Sequence, residues 1–256
     1  MIRCIGAYGV PMGGDHMQFQ WNRRWIAALI LLLATILCFV YIYSRPEQAA
    51  FAAGTNDRPV IILDAGHGGM DGGAVAADGT AESQINLQIT RRLSTLFLFL
   101  GQDTLMTRTD ESDLSSPDAG TIKEQKVSDL KNRVSLINST ENGILISIHQ
   151  NSLPANKGVH GAQVFYNTVS PAAQLAEKVQ QSLNSAINTG NEKLCKPIDS
   201  GIYLMKEATV PAILVECGFM SNSKEAQLLT STDYQKQLAA VIAAGYLQYQ
   251  TKEGSA

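Results

Sequence analysis

The chain has 256 residues, 45% of them hydrophobic and 17% charged, with a formal net charge of −3. That length and apolar content suffice for one sizeable core with an appendage, and 21 Gly with 8 Pro exclude a fibrous or broadly disordered chain. The acidic balance excludes a general nucleic-acid footprint, so no nucleic-acid partner is expected and any anionic polymer must be gripped locally.

In chain order, residues 1–24 form a short segment ending in Arg23-Arg24, with Met12 and Met17 as alternative starts. Trp25 to Tyr43 follows without a charge. At about 1.5 Å per residue it spans roughly 28 Å, close to the bilayer's hydrocarbon thickness. The paired arginines would hold its N-terminus in the cytoplasm and export the remainder. The expected localisation is therefore outside the cytoplasmic membrane, anchored through residues 25–43. A cleaved signal is the competing reading, because Ala49-Ala50-Phe51-Ala52-Ala53 resembles a small-residue cleavage site and would release the protein. Residues 44–57 read as a linker. Of four cysteines, Cys4 precedes the apolar run and Cys38 lies within it, so Cys195 and Cys217 make no disulfide framework.

The body, residues 58–251, opens with Val60-Ile61-Ile62-Leu63, an apolar run typical of a strand buried on both faces, leading into Asp64-Ala65-Gly66-His67-Gly68-Gly69. Met70 to Thr80 reads as a loop. From Glu82, apolar residues at helical spacing run to Leu100, and Gly101 ends the helix. Asp103–Thr107 reads as a short strand, Glu111–Gln125 as an exposed loop, and Val127–Ser139 as a helix. A second buried strand, Ile144–His149, ends in histidine. Gln163–Tyr166 is the next strand, Ser170-Pro171 starts a helix to about Ile187, and Thr189–Ser200 is a loop. Ile202–Met205 and Ala212–Val215 are the last expected strands, the latter leading into Glu216. Asp233–Gln250 closes the chain as a helix. Strands alternating with helices predict an α/β fold with a mostly parallel sheet covered on both faces.

Three buried strands thus end in His67, His149 and Glu216, and Glu82 starts the first long helix beside the same sheet edge. Ligands bind outside the carboxyl ends of strands in such sheets. Two imidazoles and a carboxylate are the set a catalytic zinc wants, with a fourth position open to water, and a further carboxylate could take that water's proton. Taken singly, Glu82 could be a first-turn carboxylate on the helix dipole and His149 a satisfied core histidine. Glu216 is harder to explain away, because burying an unpartnered carboxylate is expensive.

Asp64-Ala65-Gly66-His67-Gly68-Gly69, Glu82 with Asn86-Leu87, Ser147-Ile148-His149-Gln150-Asn151, and Val215-Glu216-Cys217-Gly218-Phe219-Met220-Ser221-Asn222 together resemble the zinc-dependent N-acetylmuramoyl-L-alanine amidases of the amidase-3 type. The likeness covers roughly Arg58 to Gln250. It implies one zinc held by His67, Glu82 and His149, Glu216 as the catalytic carboxylate, and a mixed six-stranded sheet flanked by helices. It also implies peptidoglycan as substrate, cut at the amide between N-acetylmuramic acid and L-alanine of the stem peptide. Within the family the chain is most similar to the germination-specific amidases of spore formers, through Leu105-Met106-Thr107-Arg108 and Gly201-Ile202-Tyr203-Leu204-Met205. That subgroup implies a role in spore cortex formation and germination, with a muramic-acid deacetylase acting on the product; a general vegetative autolysin or cell-separation amidase is the alternative. Asn151, Gly68 and Gly69 are candidate substrate-binding residues or shapers of turns. Arg108 is a candidate for a substrate carboxylate or a solvated charge, and His160 reads as a surface or structural residue.

Rival readings are a cysteine hydrolase using Cys217 with His149, a zinc exopeptidase, and a non-catalytic wall-binding module that would not need Glu216.

Overall fold

The computed structural model describes residues 26, 30–36, 58–199 and 201–253. The chain divides into two units, residues 1–55 and 56–256. In the first, Ile26 and residues 30–36 are helical. Among the described residues no helix is long and apolar enough to cross a membrane, and the remainder of the expected Trp25–Tyr43 span lies outside them.

The second unit carries one six-stranded sheet. Its elements are β1 (Val60–Ala65), α1 (Glu82–Phe99), β2 (Thr104–Met106), α2 (Ile122–Asn138), β3 (Gly143–Asn151) and β4 (Gln163–Tyr166). Then come α3 (Ala172–Ala186), β5 (Lys196–Pro197), α4 (Tyr203–Glu207), β6 (Ala212–Phe219), α5 (Ser223–Leu229) and α6 (Thr232–Glu253). The strand order is β2-β1-β3-β6-β4-β5. The β1–β2, β1–β3, β3–β6 and β4–β5 pairs are parallel, and β4 against β6 is antiparallel. The fold is thus α/β with a mixed sheet, as expected.

Strand alternation divides the core. Ile61, Leu63, Ile144, Ile146, Ile148, Ile213, Val215 and Cys217 point to one face, covered by residues of α1, α3 and α6 such as Leu93, Val179 and Ile242. Ile62, Leu145, Ala212 and Leu214 point to the other, against Ile137 of α2 and Leu204 and Met205 of α4. Continuing this second row by the two-residue period brings Asp64, Ser147, His149 and Glu216 to the carboxyl ends of their strands. The site is where the apolar row on the α2–α4 face turns polar.

Three local expectations are corrected. Ile202–Met205 is not a strand: Lys206 N–H donates to Ile202 O and Ala208 N–H to Leu204 O, winding α4 so that the neighbours Leu204 and Met205 are both buried. The sixth strand is instead Lys196–Pro197, within the stretch expected as a loop. Helix α2 begins at Ile122 rather than Val127. Thr121 accepts the Glu124 N–H and Glu124 accepts the Thr121 N–H, a reciprocal cap that starts the helix inside the polar stretch. Helix α5, too short to show periodicity, was not expected; the Asn222 side chain caps it by accepting the Lys224 and Glu225 N–H groups.

Candidate metal centre

His67 follows β1 in a left-handed backbone conformation, with φ 62. Non-glycine residues rarely adopt it, and it persists where surroundings over-determine it. Two buried arginines do so here. Arg133 donates to Ala65 O at 2.8 Å and His67 O at 2.7 Å; Arg108 donates to Ala65 O at 2.9 Å and Gly66 O at 3.1 Å. Three consecutive carbonyls are therefore gripped from two sides. Arg133 also meets the Asp64 carboxylate at 2.7 Å and Asp129 at 2.9 Å. Burial works against the Asp64 charge, but Arg133 and the Ser147 hydroxyl outweigh it and bring its pKa to about 2.

Glu82, the first residue of α1, does not serve as a simple dipole partner. Its Oε2 accepts the Ala74 N–H at 2.9 Å, and its Oε1 accepts the Gln150 N–H at 3.0 Å and the Asn86 amide at 3.2 Å. The same Oε1 lies 3.3 Å from His67 Nε2 and 3.2 Å from His149 Nδ1. Two glycines make room. A Cβ on Gly66 would overlap the His149 ring, and one on Gly73, which has φ 68, would lie 2.6 Å from Glu82 Oε2 and 2.8 Å from His67 Cδ2.

His67, Glu82 and His149 each offer a ligand atom, all within 4.8 Å of one another. Separations of 3.2–3.3 Å match the edge of a tetrahedron with ligand bonds of roughly 2.0–2.1 Å, and two imidazoles with one carboxylate are a zinc-type donor set. The residues fit a zinc ion. Asp71 completes the support: its Oδ2 is 3.0 Å from His67 Nδ1, which leaves Nε2 facing the centre, and Lys126 Nζ meets its Oδ1 at 2.9 Å. Burial opposes charging His67, but Glu82 and Asp71 outweigh it and raise its pKa to about 9. The two imidazoles likewise hold Glu82 below the usual carboxylate range against the effect of burial.

Glu216 pairs with His149 across β3 and β6. Its Oε2 is sealed from solvent without a hydrogen-bond partner. Burial, against the pull of the His149 imidazole and with the Glu82 charge adding, pushes its pKa up to about 7. A half-buried carboxylate with one sealed, unpartnered oxygen and a pKa raised towards neutrality is suited to moving a proton.

The other expected residues fare differently. Asn151 sits half-buried at the end of β3, where its Oδ1 accepts the Ser152 N–H. The Gly68 and Gly69 N–H groups are spent on Asp71 O and Glu111 O, and a Cβ on Gly69 would collide with the Asp113 carboxylate, so these glycines shape the turn rather than offer donors to substrate. Arg108 is corrected as well: it is 4% exposed and donates to four backbone carbonyls, those of Ala65, Gly66, Ser83 and Asp110, so it is neither a solvated charge nor free for a substrate. His160 is exposed, with Nδ1 3.1 Å from Gly158 O. Cys217 is fully buried on the opposite sheet face, and burial beside Glu216 raises its thiol pKa far from the thiolate range, which removes the cysteine-hydrolase reading. No motif in the sequence singles out Asp71 or Arg133, and Asn86 and Gln150 stand in the quoted motifs without an assigned role. Asp71 and Asn86 each lie four residues after a ligand, a spacing that could have flagged them.

Fold and site together define a class: an α/β domain with a His–Glu–His cluster that could hold a metal ion, built from two strand ends and a helix start, and a half-buried carboxylate beside it. The model of the N-acetylmuramoyl-L-alanine amidase family, amidase-3 type, matches residues 61–248, and the chain belongs to that family of peptidoglycan-cleaving hydrolases. It is 32% identical over 231 residues to the germination-specific N-acetylmuramoyl-L-alanine amidase of Bacillus subtilis, covering 90% of this chain and 96% of that one. Among solved structures it is similar to the CwlD amidase of Clostridioides difficile in complex with the GerS lipoprotein, with 37% identity, TM-score 0.72, and coverage of 76% of this chain and 99% of that chain. The N-acetylmuramoyl-L-alanine amidase of Clostridium difficile 630 is also similar, at 27% identity and TM-score 0.66, covering 76% and 97%.

Proposed function

We propose that this chain is a zinc-dependent amidase that hydrolyses the bond between the lactyl group of N-acetylmuramic acid and L-alanine, during spore cortex formation and germination. The observation that carries the chemistry is the free, buried Glu216 Oε2 beside the His67–Glu82–His149 cluster. His67, Glu82 and His149 would hold a zinc ion, which would supply Lewis-acid polarisation of the carbonyl and lower the pKa of a water from about 15.7 towards 7. Glu216 takes the proton of the attacking water and delivers it to the departing L-alanine nitrogen, leaving a muramic carboxyl and a free peptide amine. Asp71 keeps His67 Nε2 turned inward, while Asn86 and the Gln150 N–H hold Glu82 in place. A zinc exopeptidase could use the same metal set; similarity to two amidases over nearly their whole lengths favours the amidase.

The germination role rests on the relative named for it, and the partner put forward is a lipoprotein, by analogy with the GerS complex. A deacetylase would act afterwards on the bared muramic acid and needs no complex with this chain. Export and anchoring through residues 25–43 rest on the charge-free run after Arg23-Arg24. Protease added to intact protoplasts should then digest the domain from Arg58 onward.

The deciding experiment is mass spectrometry of muropeptides after incubation with purified protein, with and without a chelator. Stem peptides with free L-alanine amines should appear only without chelator; full activity after metal removal would refute the zinc reading. A deletion strain separates the roles. Loss of muramic-δ-lactam supports the cortex role, whereas normal lactam with chained vegetative cells supports the autolysin alternative.

A further inference from the structure

The cavity that holds His67 and His149 is about 270 Å3, walled on one side by Lys126 and Leu130 of α2 and on the other by Ile202 and Tyr203 at the entry to α4. Two cations line it, and they differ in what is left to them. Arg133 is buried and spent on Asp64, Asp129 and the Ala65 and His67 carbonyls. The Lys126 side chain is 48% exposed, and its three-donor ammonium reaches Asp71 Oδ1 at 2.9 Å, leaving donors to face the cavity. Opposite stand Ile202 and Tyr203, 43% and 40% exposed, an apolar wall across from the cation.

The bond this site is read to cleave is asymmetric in charge. Its glycan side presents hydroxyls and N-acetyl groups. Its peptide side carries carboxylates, the nearest on a γ-linked glutamate directly after L-alanine. A half-exposed ammonium beside the metal centre therefore distinguishes the two sides. Resting on the amidase reading above, we infer that Lys126 is a specificity-determining residue: its ammonium binds the free carboxylate one residue beyond L-alanine, with the peptide seated between α2 and the Ile202–Tyr203 wall. The stretch Gly201–Tyr203, the exposed start of the Gly201–Met205 sequence signature, gains a role as the far wall of the peptide channel, while Met205 packs in the core.

The test uses zinc-loaded protein and two muropeptides that differ only in the second stem residue, one with its α-carboxyl free and one with a primary amide there. The free acid should be preferred about five- to tenfold in kcat/KM, mostly through KM, as for a charge pair only partly withdrawn from water. Lys126→Gln should narrow that preference to within about twofold while zinc content matches wild type. Equal treatment of both muropeptides by wild type, or an equal loss on both in Lys126→Gln with loss of zinc, would overturn the inference and leave Lys126 a support for Asp71. Calorimetric binding of the two peptide fragments without the sugar separates this from the amidase reading. Lys126-dependent preference for the free acid without hydrolysis of either muropeptide would keep the subsite and sink the amidase; hydrolysis of both with no binding preference would do the reverse.

Discussion

The imidazole of His149 lies where a side chain on Gly66 would have to go: a Cβ there would overlap the ring. The end of β1 is thus shaped by the residue at the end of β3, one strand away. Gly66→Ala should push His149 out of reach of Glu82 and lower zinc affinity by about 10–100-fold, the scale seen when ligand orientation is lost. Gly72→Ala, whose Cβ would make an ordinary 3.5 Å contact with Ala81, is the control and should bind zinc normally. Metal content after dialysis reads both; retained zinc in Gly66→Ala would show that the ring can relocate.

Glu216→Gln should keep zinc and lose about 10²–10⁴-fold in rate, because Gln preserves shape and removes basicity. Its effect on stability has the opposite sign. Burial raises the folded pKa of Glu216 from 4.5 to about 7, so its contribution to stability is present below 4.5 and lost as pH rises through 7. Metal-free Glu216→Gln should therefore be more stable than wild type at pH 8, by about 3 kcal/mol. Loss of zinc from this variant would make Glu216 a ligand instead.

Zinc binding should release a proton. Without metal, Glu82 and Asp71 hold His67 protonated up to about pH 9, and ligation needs the neutral ring. Proton competition is strongest below that value, so affinity should rise about tenfold per pH unit between about 6 and 9. Competition with a chromophoric chelator across that range measures the slope; a flat profile would mean that the His67 ring is already neutral.

Asn86 is fully buried and bridges Gly66 O at 3.1 Å to Glu82 Oε1 at 3.2 Å, while its own oxygen accepts from Gln150 Nε2 at 3.1 Å. Asn86→Leu should fold, because similar volume is kept, yet bind zinc about 10–100-fold more weakly. Wild-type affinity would assign Glu82's orientation to the Gln150 and Ala74 N–H groups alone.

The strands Val60–Leu63, Ile144–Ile148 and Ala212–Val215 were readable because burial on both faces leaves an apolar run that little else produces. The same runs made His67, His149 and Glu216 conspicuous at their ends. Ile202–Met205 misled, because four apolar residues with a β-branch and an aromatic carry strand propensity, and only packing of Leu204 and Met205 against β6 decides for a helix. Arg133 was unreadable for a different reason. In a helix as polar as α2, an arginine looks like part of a solvated face, and its partner Asp64 lies 69 residues away. Periodicity reports which way a side chain points, not what it meets there.

That arginine supports the last prediction. Arg133 is 2% exposed and Asp64 1%, and the pair is tied to Asp129, the Ser147 and Thr107 hydroxyls and the turn carrying His67. Removing one partner of such a pair leaves the other charge buried, so Arg133→Met should cost about 3–5 kcal/mol at pH 7. Asp64→Asn combined with Arg133→Met should recover part of that loss, because the orphaned carboxylate is gone while the hydroxyls keep a partner. The pH dependence follows from Asp64. In wild type its depressed pKa contributes stability above 3.8 that is lost as pH falls through about 2; without Arg133, burial outweighs the remaining hydrogen bonds and acid should no longer destabilise through this group. Urea unfolding of the metal-free proteins at pH 7 and at pH 2 reads all three effects. A single-variant cost below about 1 kcal/mol would mean that Arg108 alone holds the Ala65 and Gly66 carbonyls, and that the turn carrying His67 does not depend on the ion pair.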